Sequence, residues 1–98
     1  MVNFEVLIDE DAQKFLDNLP EKNQENVRSK LMLLEEDPFP GPGGNKELLN
    51  PKQKKLYRLH ISRNYTAFYH IFSEEKTVRI LWLGHIGQAH NLYGRFKN

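Results

Sequence analysis

Cysteine is absent from the 98-residue sequence, which excludes disulfides, thiolate metal ligands and a cysteine nucleophile. Long apolar runs are absent as well, since no uninterrupted stretch approaches the roughly 18 residues that cross a membrane. The first ten residues lack the basic and apolar regions of a secretory signal. We therefore expect a soluble cytoplasmic protein, and the length leaves room for a single domain over residues 1–98.

A surplus of either charge is also missing, because 14 basic residues face 13 acidic ones. The overall charge therefore gives no reason to expect a nucleic acid partner. The distribution is uneven, with eleven acids and five bases in residues 1–50, and two acids, nine bases and all four histidines in residues 51–98. This asymmetry indicates one face for an anion, and the alternative is that the acids coat the solvent side of helices.

The first half of the chain has the pattern of one strand followed by two helices. Residues 2–8 alternate as a short strand does, and Asp9 is placed to cap a helix. Apolar residues then recur at helical spacing, and Pro20 separates this helix from a second one over Glu21–Glu36. Residues 37–44 contain three prolines and three glycines, so they predict a long loop.

After Pro51 the apolar period changes to two, which indicates strands. Arg58 and His60 alternate with apolar neighbours, and two further strands are predicted over Tyr65–Phe72 and Thr77–Leu83, followed by a turn at Gly84. The predicted order is β-α-α-β-β-β. Alternation within the strands favours an α+β fold in which a mostly antiparallel sheet packs on two helices.

Three phrases in the second half carry a resemblance to a known family. They are Tyr57-Arg58-Leu59-His60, Asn64-Tyr65-Thr66-Ala67-Phe68-Tyr69 and Leu83-Gly84-His85, preceded by Leu19-Pro20 after the first helix and Lys46-Glu47-Leu48-Leu49 before the strands. In this order they resemble the RelE/ParE superfamily of toxins over nearly the whole chain. The resemblance implies a RelE-like fold and a ribosome-dependent mRNA endonuclease, or mRNA interferase, of a type II toxin–antitoxin system.

The implied reaction is attack of a ribose 2′-oxygen on the neighbouring phosphorus, and it needs neither a metal nor another cofactor. The implied partners are a cognate antitoxin, the ribosome and mRNA. We expect the free toxin to be a monomer that forms a hetero-oligomer with the antitoxin. The antitoxin segment would fold on binding, so we expect exposed apolar surface on the helices or the sheet of the free chain.

Four residues match family positions that imply catalytic roles. Arg58 would neutralise phosphate, and His60 would take the 2′-proton or stabilise charge; the alternative is that both only solvate the open side of the sheet. His85 would act as acid or base, or else serve structure at the strand end. Tyr93 would stack on a base or assist the phosphate. Lys54, Lys55, Arg63 and Arg95 are the basic residues that we expect to contact RNA.

Two departures from the family pattern bear on activity. Thr66 and Ile86 stand where many RNase members have arginine. Without replacement, the loss of two cations would slow cleavage on the order of 10³-fold or more. The sequence therefore leaves three readings open, which are an mRNA endonuclease with reduced activity, a ParE-like inhibitor of DNA gyrase, and a catalytically decayed protein that only binds an antitoxin.

Overall fold

The computed structural model describes residues 3–41, 44–50 and 55–88. Within them the chain forms five strands and two helices, and residues 86–88 are also helical. The elements are β1 (Glu5–Ile8), α1 (Glu10–Asp17), α2 (Glu21–Met32) with a 3₁₀ turn at Leu33–Glu35, β2 (Lys46–Asn50), β3 (Leu56–His60), β4 (Tyr65–Phe72) and β5 (Thr77–His85). Neither helix combines the length and the apolarity that a bilayer crossing requires.

The five strands form one sheet in the order β1-β5-β4-β3-β2. The pairing of β1 with β5 is parallel and the other three pairings are antiparallel, which confirms the α+β fold with a mostly antiparallel sheet. The predicted order lacked β2, because a segment read as a lead-in to the strands pairs with β3 at the sheet edge. Its register shifts between Leu48 and Asn50, so it lacks the regular alternation that reveals a strand.

The last strand is longer than predicted, and the turn expected at Gly84 is wrong. Gly84 lies inside β5, opposite Thr66 of β4. A Cβ at Gly84 would lie 2.5 Å from Cζ2 of Trp82, so the missing side chain makes room for the indole ring. The glycine therefore serves packing within a strand, whereas the sequence suggested a change of chain direction.

Both helices lie against one face of the sheet and close the main core. The second helix and the turn after it bury one apolar stripe, in which Val27, Leu31 and Leu34 are fully buried. The α-helix itself ends at Met32, and Leu34 reaches the core from the 3₁₀ turn that follows. From the sheet, apolar side chains of β3, β4 and β5 complete this core.

Asp9 occupies the N-cap position of α1, but its side chain makes no capping hydrogen bond. Its carboxylate instead accepts hydrogen bonds from Arg79 of β5, with Nε at 2.8 Å and Nη2 at 3.1 Å. The Asp9 backbone N–H donates to the carbonyl of Ile80 at 2.9 Å. The junction of β1 and α1 is therefore fixed to β5, and the predicted cap is replaced by a long-range ion pair.

The loop after the helices is anchored from inside the domain. The buried Tyr69 hydroxyl donates to the carbonyl of Pro38 at 2.7 Å, and burial raises the pKa of Tyr69 well above its usual value. Further along, the backbone N–H of His60 donates to the carbonyl of Asn45 at 2.7 Å. These contacts lead the chain from the helices to β2 and set that strand beside β3.

Candidate functional site

The sheet has a second face, opposite α1 and α2, which we call the open face. Tyr57 and Leu59 of β3 are buried in the helix-covered core, so Arg58 and His60, which alternate with them, lie on the open face. Both side chains are partly exposed. The predicted placement of Arg58 and His60 on one face of the strand is thereby confirmed.

A carboxylate joins these two cationic side chains. Glu47 of β2 lies opposite Arg58 in the strand register, and its two carboxylate oxygens each accept a hydrogen bond from Arg58 Nη2 at 3.1 Å. Its Oε1 also lies 2.6 Å from Nε2 of His60. We call Glu47, Arg58 and His60 the open-face cluster. Because β2 runs beside β3, a single acidic side chain can hold both residues in place.

The contact with Glu47 assigns the protonation of the His60 ring. An ionised carboxylate can only accept a hydrogen bond, so Nε2 of His60 carries the proton. In a neutral imidazole the other nitrogen, Nδ1, then has a free lone pair. His60 is therefore held in the tautomer that can accept a proton at Nδ1.

Glu47 is ionised at neutral pH. The hydrogen bond from His60 is the largest influence and lowers the pKa of Glu47, and the hydrogen bond and positive charge of Arg58 lower it further. Desolvation by burial raises the pKa and opposes these effects without cancelling them. At neutral pH the open-face cluster thus contains one carboxylate and one guanidinium, and protonation of His60 would add a positive charge.

Arg58 keeps hydrogen-bonding capacity beyond its contact with Glu47. Its Nε is buried and has no hydrogen-bond partner, whereas Nη2 donates to both Glu47 oxygens. A guanidinium offers five N–H donors in a rigid fork that matches carboxylate and phosphate geometry. The partly exposed guanidinium of Arg58 is therefore suited to an anion, and Glu47 is the anion that it binds in this structure.

His85 lies away from the open-face cluster, on the helix-covered side of the sheet. Its ring centroid is 5.5 Å from that of Phe15 in α1 and 5.3 Å from that of Tyr65 in β4. Tyr65 in turn accepts a hydrogen bond from Asn23 of α2 at 2.9 Å. His85 is the last residue of β5 and is exposed, whereas the sequence placed it just after the strand. The structure does not bring His85 together with Arg58 and His60.

Thr66 and Ile86, the two positions where many RNase members have arginine, both lie within the described residues. Thr66 is almost fully buried, and its hydroxyl donates to the carbonyl of Leu59 at 2.9 Å. Ile86 follows β5, and its backbone N–H donates to the carbonyl of Asn64. Arg79 does not replace the missing cations near the cluster, because it binds Asp9 at the β1 side of the sheet while the cluster lies at the β2 side.

Two of the four predicted RNA-binding residues fall within the described part of the chain. Lys55 is exposed immediately before β3, and Arg63 is exposed in the turn between β3 and β4. Lys54, Arg95 and the predicted catalytic Tyr93 lie outside the described residues. Lys55 and Arg63 therefore flank the two ends of the strand that carries Arg58 and His60.

Sequence reasoning missed Glu47 as a site residue because it read this segment as a connection. A signal was present, since Glu47 is the only acid between Asp37 and Glu74 and directly precedes the basic half of the chain. No three carboxylate or imidazole groups in residues 3–41, 44–50 and 55–88 come together to hold a metal ion. The chemistry available to the cluster is hydrogen bonding, charge stabilisation and proton transfer.

Comparison with known proteins agrees with this fold and decides the family. A family model of the ParE toxin of the type II toxin–antitoxin system parDE matches residues 3–89. The chain belongs to the RelE/ParE superfamily. It is therefore a toxin of a type II toxin–antitoxin system. A search of curated protein sequences gave no match.

Solved structures of RelE toxins share the fold of this superfamily member. The archaeal RelE–RelB complex from Pyrococcus horikoshii is 26% identical with a TM-score of 0.74, covering 91% of this chain and 100% of that chain. The RelBE2 toxin–antitoxin complex from Mycobacterium tuberculosis is 23% identical with a TM-score of 0.69, covering 87% and 93%. The intact E. coli RelBE complex is 18% identical with a TM-score of 0.56, covering 84% and 95%.

Proposed function

We propose that this toxin is a ribosome-dependent mRNA endonuclease that cleaves RNA on the open face of its sheet. The observation that carries the proposal is the open-face cluster, in which an arginine and a histidine of one strand share a carboxylate. A metal-independent cleavage needs a proton acceptor and a cation side by side. His60 and Arg58 have these two properties and lie two residues apart on the same strand face.

In the proposed reaction the ribose 2′-oxygen attacks the neighbouring phosphorus and the bond from phosphorus to the 5′-oxygen breaks. Nδ1 of His60 takes the proton of the 2′-hydroxyl, a step that contributes about 10²–10⁴-fold when the base is well placed. Arg58 donates hydrogen bonds to the phosphoryl oxygens as negative charge develops, which is worth a few kcal/mol. The leaving 5′-oxygen takes a proton from water and His60 returns its proton to solvent, so the products are a 2′,3′-cyclic phosphate and a 5′-hydroxyl.

Glu47 is a positioning residue in this scheme. Its carboxylate fixes the His60 ring in the tautomer that leaves Nδ1 free, and it holds the Arg58 guanidinium on the open face before substrate arrives. The roles predicted for Tyr93 and Arg95 concern residues outside the described part of the chain. His85 has no part in the proposed cluster, because it packs against Phe15 on the other face.

The proposed partner is a cognate antitoxin. The matched toxin structures from Pyrococcus horikoshii, Mycobacterium tuberculosis and E. coli are complexes with antitoxins. Large apolar side chains are also exposed on this chain. Leu33 in the 3₁₀ turn after α2 is 53% exposed, and Leu7 in the edge strand β1 is 48% exposed. Exposed apolar surface of this kind is suited to a partner segment that folds on binding.

The proposal is tested by the double substitution Arg58→Ala with His60→Ala. Expression of the wild-type toxin without antitoxin should arrest growth and leave cleaved mRNA, whereas the double variant should do neither. The folded state of the variant is checked by circular dichroism, because both side chains are partly exposed and their loss should leave the core intact. Growth arrest by the double variant equal to that of the wild type would contradict the proposal.

A second candidate is a ParE-like inhibitor of DNA gyrase. It is favoured by the matched ParE family model and by the absence of a cation at Thr66 and Ile86. This function predicts that purified toxin blocks supercoiling by gyrase and leaves mRNA intact.

A toxin that is expressed at high level without any growth defect would instead support the third reading, a decayed protein that only binds its antitoxin.

A further inference from the structure

The hydrogen bonds of the open-face cluster run between its own three members. Glu47 uses both carboxylate oxygens on Arg58 Nη2 and one of them also on His60 Nε2. With His60 neutral, the charges of Glu47 and Arg58 cancel. A site that attracts phosphate needs surplus positive charge, and this one has none until the carboxylate is moved or His60 is protonated.

An incoming phosphodiester requires the donors that the carboxylate occupies. A carboxylate and a phosphodiester each offer a pair of oxygens that accept hydrogen bonds from the guanidinium fork, so they compete for the same N–H groups. Glu47 binds Arg58 through Nη2 only, and the buried Nε remains without a partner. The buried Nε is out of reach of solvent, so a phosphate that binds Arg58 has to take over the Nη2 donor that Glu47 occupies.

We propose that the Glu47 carboxylate is a built-in competitor of RNA, which occupies the Arg58 guanidinium until a backbone phosphate displaces it from that group. This inference rests on the proposed function and adds to it a residue that sets RNA affinity. Displacement requires loss of the two contacts of 3.1 Å with Arg58, so RNA that is not held by other surfaces binds weakly. Glu47 therefore disfavours cleavage of free RNA relative to RNA presented by a larger assembly.

Binding, measured without cleavage, tests this competition directly. The probe is a fluorescein-labelled 2′-O-methyl oligoribonucleotide, which has no free 2′-hydroxyl, and its binding is followed by fluorescence anisotropy at several salt concentrations. Glu47→Gln keeps the shape of the side chain and removes its charge. We expect the variant to bind about tenfold more tightly than the wild type. The slope of log K against log salt concentration should become steeper by the amount expected for about one additional phosphate contact.

The matched control is Glu25→Gln, which changes the net charge of the protein equally. Glu25 is exposed on α2, on the opposite side of the sheet from Glu47. We expect the affinity of this variant to stay within about twofold of the wild type, since a distant surface charge is screened at these salt concentrations. Equal affinities of the Glu47 and Glu25 variants would overturn the proposal, as would no detectable binding by either.

A further pair of variants identifies the released group. When Arg58→Gln is already present, adding Glu47→Gln should raise log K by less than half as much as it does in the wild-type protein. The reason is that the guanidinium that Glu47→Gln would release is then absent. An undiminished gain would overturn the role of Arg58, and thermal unfolding checks that each variant is folded. The outcome is separable from the proposed function: a toxin that cleaves mRNA on ribosomes but shows no gain refutes only the competition. A gain in a toxin that never cleaves mRNA refutes only the endonuclease.

Discussion

The two faces of the sheet have opposite compositions. The helix-covered face packs apolar side chains against the helices, and Val27 and Leu31 of α2 and Ile80 of β5 are fully buried there. The open face carries the open-face cluster beside a much smaller apolar group around Leu56 and Phe68. One face therefore supplies the stability of the domain, whereas the other presents partly exposed polar groups held by hydrogen bonds. Residues on the open face can therefore change without loss of the stability that the helix-covered face supplies.

The largest expected effect comes from the helix-covered face. Leu31→Ala removes a fully buried side chain from α2, and we expect a loss of about 3 kcal/mol in the free energy of unfolding from lost burial and the cavity left behind. Leu33→Ala is the matched control, because Leu33 is 53% exposed and the same atoms are removed two residues later. Urea denaturation measures both. Similar losses for the two variants would break the distinction between covered and exposed positions.

A smaller effect is expected where the open face is tightly packed. Gly84→Ala places a Cβ 2.5 Å from the Trp82 ring, so the ring must shift and its packing on Phe68 is disturbed. We expect a loss of about 1–3 kcal/mol, the usual cost of overpacking. Gly87→Ala is the control, since nothing lies within 4 Å of its added Cβ, and its stability should be unchanged. An unchanged melting temperature for Gly84→Ala would show that the indole moves without cost.

The smallest effect on stability is expected within the cluster. The pKa of Glu47 is lower in the folded state than its ordinary 4.5, so its ionised form stabilises the fold fully above pH 4.5. This contribution falls as the pH drops through the lowered folded-state value. Glu47→Gln should thus cost about 0.5–1 kcal/mol at neutral pH, limited by solvent exposure, and almost nothing in strong acid. Urea denaturation at both pH values checks this, and a cost that grows in acid would contradict the ionised pair.

Most of the fold could be predicted from local patterns, because strand and helix periods identify their elements directly. Tyr65–Phe72 has the predicted bounds, and Arg58 and His60 lie on the predicted face. The edge strand β2 could not be predicted, since its shifted register hides the alternation. Glu47 was missed for the same reason, because its role depends on pairing with a strand eleven residues further along the chain. His85 matched a family phrase, but a phrase does not show which face of a sheet a side chain takes.

The most direct test of the open-face assignment is the mapping of RNA 3′ ends on ribosomes stalled on a defined mRNA. Two double variants are compared with the wild-type toxin, Arg58→Ala with His60→Ala on the open face and Arg28→Ala with His85→Ala on the helix side. Each removes one arginine and one histidine, so the change in composition is the same. We predict cleavage in the decoding site by the wild type and by the helix-side variant, and none by the open-face variant. Cleavage that survives in the open-face variant and disappears in the helix-side variant would contradict the assignment.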